Sequence, residues 1–83
     1  MEERISLTEM NANEFGKVVE LIGGHGMVKS LENMGIRIGT EIRKVSQQLM
    51  GGPVIVSQGN TQVAIGYGMA KRIIIEIKGG KLK

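Results

Sequence analysis

Cysteine is absent from the 83 residues, which excludes disulfides, thiolate zinc sites, cysteine-ligated iron–sulfur clusters and a cysteine nucleophile. A reducing compartment suits such a chain. Aspartate is absent too, and the eight carboxylates are all glutamate. None falls in a metal-ligand spacing, and calcium-loop chemistry, which needs aspartates, is excluded. Phe15 and Tyr67 are the only aromatic residues, too few for a platform that stacks single-stranded bases. Long hydrophobic runs are also missing. The start, Met1-Glu2-Glu3-Arg4, is acidic and leads into no extended apolar stretch, so neither a signal peptide nor a membrane span is expected. The expectation is a soluble, cytoplasmic chain that is not itself embedded in a membrane.

The motifs of catalysis are missing as well. Gly24-x-Gly26 and Gly66-x-Gly68 do not continue into a dinucleotide fingerprint. No glycine-rich segment ends in the Gly-Lys-Ser/Thr of a phosphate loop, and Gly-x-Ser-x-Gly does not occur. With one histidine and no cysteine, nucleophilic catalysis would require an unusual site. The reading is therefore no enzyme, no catalytic residue and no cofactor.

The net charge of +3 invites a nucleic-acid reading, but Lys78, Lys81 and Lys83 carry all of it. Without them eight basic residues face eight glutamates, and residues 1–77 are neutral. The excess sits on the segment 78–83, whose Gly79-Gly80 pair predicts a flexible basic tail on one domain spanning 1–83. Binding of nucleic acid is not expected from the folded part.

What the chain has in abundance is glycine, 13 residues, about double the usual share of roughly 7%. The glycines fence off short apolar runs and predict a small, turn-rich β domain. Residues 17–22 read as a β-branched strand. The helical spacing of Met27, Val28, Leu31 and Met34 predicts one helix over about 25–34. Gly35 follows as its left-handed C′ residue, and Ile36 is placed to touch Leu31 in a Schellman cap. In the next strand, 41–45, the apolar Ile42 and Val45 stand three apart, which a bulge would reconcile. A loop over 47–53 leads to two strands, 54–58 and 61–65, around Gly59-Asn60, and glycine first suits a type II′ hairpin turn. Residues 66–72 form a helical or 3₁₀ turn before the last strand, 73–77, where Ile73, Ile75 and Ile77 share a face. The predicted fold is mainly β: a small barrel of about five short strands with one short α-helix.

His25 stands alone in Gly23-Gly24-His25-Gly26. It reads as a solvated loop residue, because a metal site needs several converging ligands. Methionines 27 and 34 lie on the helix stripe and read as core filling, which methionine commonly supplies. No metal ligands are assigned. Leu49 and Met50 are the exception to tidy burial: in a loop they gain nothing unless they fold back on the core or meet a partner. They are the first candidates for a partner-binding surface, followed by Tyr67 and Lys71 in the segment 66–72.

Three runs occur in a characteristic order: Leu31-x-x-Met34-Gly35-Ile36-x-x-Gly39-Thr40-x-Ile42, Gly52-Pro53-Val54-x-Val56, and Val63-Ala64-Ile65-Gly66-Tyr67-Gly68-Met69-Ala70-x-x-Ile73. With Leu7 and Gly16 upstream, the chain over about 6–77 resembles the FeoA family, the small ferrous iron transport protein A. The resemblance implies an SH3-like β-barrel working in the cytoplasm with FeoB, the membrane ferrous iron permease that carries its own guanine-nucleotide-binding domain. Similar barrels form the C-terminal domain of iron-dependent repressors, but here there is no room for a helix-turn-helix reader. The chain departs from the commoner family pattern at Lys29-Ser30, Ile38 and Tyr67. The implied function is an accessory or regulatory protein of iron uptake that binds FeoB. The alternative is a transition-metal-ion-binding protein or iron chaperone using His25 with glutamates gathered by folding or dimerisation. A third reading is a nucleic-acid-binding barrel using the lysine tail. Self-association into a homo-oligomer stays open.

Overall fold

The computed structural model describes residues 2–48 and 50–78, and over them the glycine-fenced runs become strands. The chain forms β1 (Glu2–Ser6), a 3₁₀ turn (Leu7–Glu9), β2 (Phe15–Leu21), α1 (His25–Asn33) and β3 (Glu41–Gln47). It continues through β4 (Val54–Gln58), β5 (Thr61–Ile65), the single-turn helix α2 (Tyr67–Ala70) and β6 (Ile73–Lys78). The strands make one antiparallel sheet in the order β1-β6-β2-β3-β4-β5.

Val18, Ile42, Val54, Val56, Ile65, Ile73 and Ile75 all join one buried cluster with Leu31 and Ile36. A flat sheet faced by one nine-residue helix could not enclose side chains from five strands. The sheet must curl around them, and the register shifts at Val18/Glu20 and Lys44/Ser46 supply the extra twist that bulges bring. The edge strands β1 and β5 are not paired with each other, so the result is a small, partly open barrel.

The helix ends as its sequence predicts. Gly35 has φ of 89°, a left-handed conformation that glycine adopts without steric penalty. The Ile36 N–H donates to the Leu31 carbonyl at 2.9 Å, and the Gly35 N–H to the Glu32 carbonyl at 2.9 Å. These are the two bonds of a Schellman motif, and Leu31 and Ile36, its apolar pair, are both fully buried. Met27 and Met34 pack against the core but are only half-buried. The predicted hairpin is present too: Gln58 pairs with Thr61 around a turn with Gly59 at φ 60°.

Three expectations need correction. Among the described residues the strands number six, because Glu2–Ser6 pairs along its whole length with β6, from Glu2↔Lys78 to Ser6↔Ile74. Glu2-Glu3-Arg4-Ile5 shows no apolar alternation to announce a strand; it is an edge, held by backbone pairing, where charged side chains are tolerated. The second strand starts at Phe15 instead of residue 17. In β3 the bulge exists, but the neighbour of Ile42 on the core side is Lys44, while Val45 is half-buried. Of the expected flexible tail, 78–83, Lys78 is the last residue of β6, paired with Glu2; residues 79–83 and Leu49 lie outside the described residues.

Candidate functional site

A lysine on a core face requires acceptors, and the 3₁₀ turn provides them. Ser6 closes β1 and caps that turn: its Oγ accepts from the Thr8 N–H at 3.2 Å, while its own N–H donates to Glu9 Oε1 at 3.1 Å. Leu7 is thereby driven into the core, and the backbone carbonyls of the turn point inward. Lys44, only 3% exposed, donates from Nζ to the carbonyls of Leu7 (3.2 Å), Thr8 (3.2 Å) and Met10 (2.7 Å), and to Gln47 Oε1. The ammonium thus ties the N-terminal segment to β3. Burial pushes the Lys44 pKa below the ordinary lysine value, and the nearby Glu14 charge partly opposes that.

Lys44→Met should cost about 1–3 kcal/mol in urea unfolding, because the substitution leaves buried carbonyls without a donor. The pH dependence follows from the lowered pKa. The folded chain holds this proton less tightly than the unfolded chain, so the Lys44 contribution rises with pH between the depressed folded value and the ordinary 10.5. Comparing unfolding free energies of the wild type and Lys44→Met across that alkaline window should isolate this increment, which the variant lacks.

The outward-facing candidates lie on the segments before and after the β4–β5 hairpin. Val54 is paired with Ile65, so the loop entering β4 and the helix leaving β5 emerge at the same end, opposite the Gly59-Asn60 turn. At the base of the loop the Gln48 N–H donates to the Pro53 carbonyl at 3.3 Å. Its tip holds Met50 at φ 64° and Gly51 at φ 76°. Met50 is therefore a long apolar residue in a backbone conformation that L residues seldom adopt, and it is 100% exposed. After β5, α2 is fastened by Ala70 N–H to the Gly66 carbonyl (2.9 Å) and Lys71 N–H to the Tyr67 carbonyl (3.0 Å). Ala70 is buried beneath it, so Tyr67, 37% exposed, and the exposed Lys71 stand outward. The loop bearing Met50 thus precedes β4 and the turn opening at Tyr67 follows β5 at one end of the hairpin, while Lys71 lies beyond α2, two residues before β6.

Elsewhere, His25 is exposed at the start of α1, whose N-cap Gly24 offers no side-chain cap. No group of three or more His, Cys, Asp or Glu able to hold a metal comes together among the described residues. Sequence reasoning missed Phe15, which is 67% exposed at the head of β2. It borders a groove with Glu41, Ile42, Arg43, Ser57 and Gly59. The signal was available: Gly16 and Val18 are the buried positions of this strand, so period-two alternation puts Phe15 outside. No helix among the described residues is long and apolar enough to cross a membrane.

A six-stranded sheet curled around one buried cluster defines, over the described residues, a small β-barrel-like domain. The FeoA domain family matches residues 5–77, and the chain belongs to that family, one of non-enzymatic accessory proteins of ferrous iron transport. A protein of Methanocaldococcus jannaschii assigned as Fe(2+) transport protein A is 37% identical over 59 residues, covering 71% of this chain and 70% of that protein. The crystal structure of an iron uptake regulatory protein, FeoA, superposes with a TM-score of 0.82 at 36% identity, covering 88% of this chain and 96% of that one. A manganese-dependent transcriptional repressor superposes with a TM-score of 0.81 over 90% of this chain but 42% of its own, at 17% identity, a likeness of fold alone. The barrel is thus SH3-like, as the sequence resemblance implied.

Proposed function

We propose that this chain is a cytoplasmic accessory protein of ferrous iron uptake that docks on the FeoB permease through exposed residues flanking the β4–β5 hairpin, Met50 and Tyr67, with Lys71 beyond them. The observation that supports the reading is the pairing of Val54 with Ile65, because the fully exposed Met50 stands shortly before the one and the exposed Tyr67 shortly after the other. Apolar anchors rimmed by charge are what protein docking uses, with a few well-packed residues supplying most of the binding energy. The domain acts by differential binding: it prefers one conformation or assembly state of the permease and shifts its population.

Met50→Ser combined with Tyr67→Ser tests this reading. Thermal stability should change by no more than about 0.5 kcal/mol, as for exposed positions. Capture of FeoB, measured with and without guanine nucleotide, should weaken by about tenfold or more, as for loss of central anchors. Ferrous iron uptake in cells should fall with it. Normal capture and uptake by the folded double variant would move the docking surface elsewhere on the domain.

A further inference from the structure

The two edges of the sheet differ in chemistry. The β1 edge carries the exposed Glu3 and Arg4, the charged protection that natural edge strands use against unwanted pairing. The other edge, β5, reads Thr61-Gln62-Val63-Ala64-Ile65, with no charge and no proline. Its register with β4 runs unbroken from Val54↔Ile65 to Gln58↔Thr61, so no bulge turns it away. Among the described residues, no backbone hydrogen bond other than the β4 ladder reaches 61–65.

The two-residue turn sets which groups remain free. In such a hairpin the pair flanking the turn, Gln58 and Thr61, exchanges hydrogen bonds, and bonded pairs then alternate along the ladder. Thr61, Val63 and Ile65 therefore bond inward to β4, while the N–H and C=O of Gln62 and Ala64 point out of the sheet. The side chains of Gln62 and Ala64 are exposed, and Val63 is half-buried between them.

We propose that the β5 edge pairs antiparallel with the β5 edge of a second copy of this chain, about a twofold axis at Val63. In that register Gln62 of each copy lies opposite Ala64 of the other, as a hydrogen-bonded pair. Every outward N–H and C=O of Gln62 and Ala64 then finds a partner. Val63 meets its own counterpart at the axis, in the closer, non-hydrogen-bonded position where β-branched side chains pack. The strand is self-complementary and carries no charge that would repel its copy or select a foreign strand. One sheet then runs through both molecules, an isologous contact. The inference does not depend on the role in iron transport, and the β5 edge is distinct from the end that bears Met50.

Sedimentation of the full chain over a range of concentrations tests the pairing, with circular dichroism verifying the fold of each variant. The wild type should associate reversibly to a dimer. Ala64→Pro should abolish the dimer while the monomer still folds, because the lost N–H lies on the unpaired side where an edge strand tolerates proline. Two further variants read the register itself. Gln62→Lys with Ala64→Lys sets like charges directly opposite at two positions and should weaken association by about tenfold or more. Gln62→Lys with Ala64→Glu sets opposite charges there and should restore it, with a salt-sensitive Kd. A wild type that stays monomeric, or equal association by both charge variants, overturns the proposal; so would binding of a foreign extended segment at β5 by a monomeric wild type.

Discussion

Leu31→Ala is expected to destabilise the domain by about 2–5 kcal/mol, the range for truncating a buried leucine. Leu31 is fully buried and lies at the join of local and tertiary structure. Its carbonyl accepts the Ile36 N–H that closes the helix, and its side chain belongs to the central cluster. Removing the isobutyl group leaves a cavity between α1 and the sheet, and α1 is the only helix of more than one turn among the described residues. A domain of this size has little stability in reserve, so the variant should be substantially unfolded at moderate urea and should lose iron uptake through loss of fold. This separates it from the double serine variant, which should lose binding with the fold intact. A change below about 1 kcal/mol in urea unfolding would mean that the helix contributes little to the core.

Gly16→Val should be comparably harmful, against the grain of strand propensity. Valine is favoured in β-strands over glycine, and on that ground alone the substitution in the middle of β2–β3 pairing, where Gly16 faces Ile42, would stabilise. Packing reverses the sign. A Cβ at position 16 would collide with Ile75 Cγ2, lie 3.1 Å from Ile77 Cγ2 and lie 3.3 Å from the Glu76 carbonyl oxygen. The side chains of β6 fill the space that glycine leaves, and they are themselves buried. Relief would require displacing β6, the strand shared between β1 and β2. Overpacking of this kind costs about 1–3 kcal/mol for added methylenes and can exceed it. Thermal unfolding should show a large loss for Gly16→Val, a smaller one for Gly16→Ala, and no loss for Gly26→Ala, inside α1, where a Cβ meets open space. Equal melting of Gly16→Val and wild type would contradict the close approach.

Local features were legible in the sequence because their causes lie within a few residues. The Schellman end of α1, the hairpin around Gly59-Asn60 and the common face of Ile73, Ile75 and Ile77 each depend on short-range spacing. Family membership could also be read from ordered glycines and apolar positions over most of the chain. Exposed candidates were only half legible. Met50 stands out as an apolar residue in a loop, whereas Phe15 looked unremarkable until the buried face of β2 was assigned.

By itself the sequence determined the composition limits, the helix and its cap, the hairpin and the small β fold. Only the tertiary structure decided that Glu2–Ser6 is a strand, that Lys44 is an interior residue, that Met50 and Phe15 are exposed, and that β5 is an open edge. The reason is separation along the chain. Lys44 finds the carbonyl of Leu7 across 37 residues, and Glu3 finds Ile77 across the whole domain. Such pairings depend on how the curled sheet closes around one shared core, and no short window of sequence contains both partners.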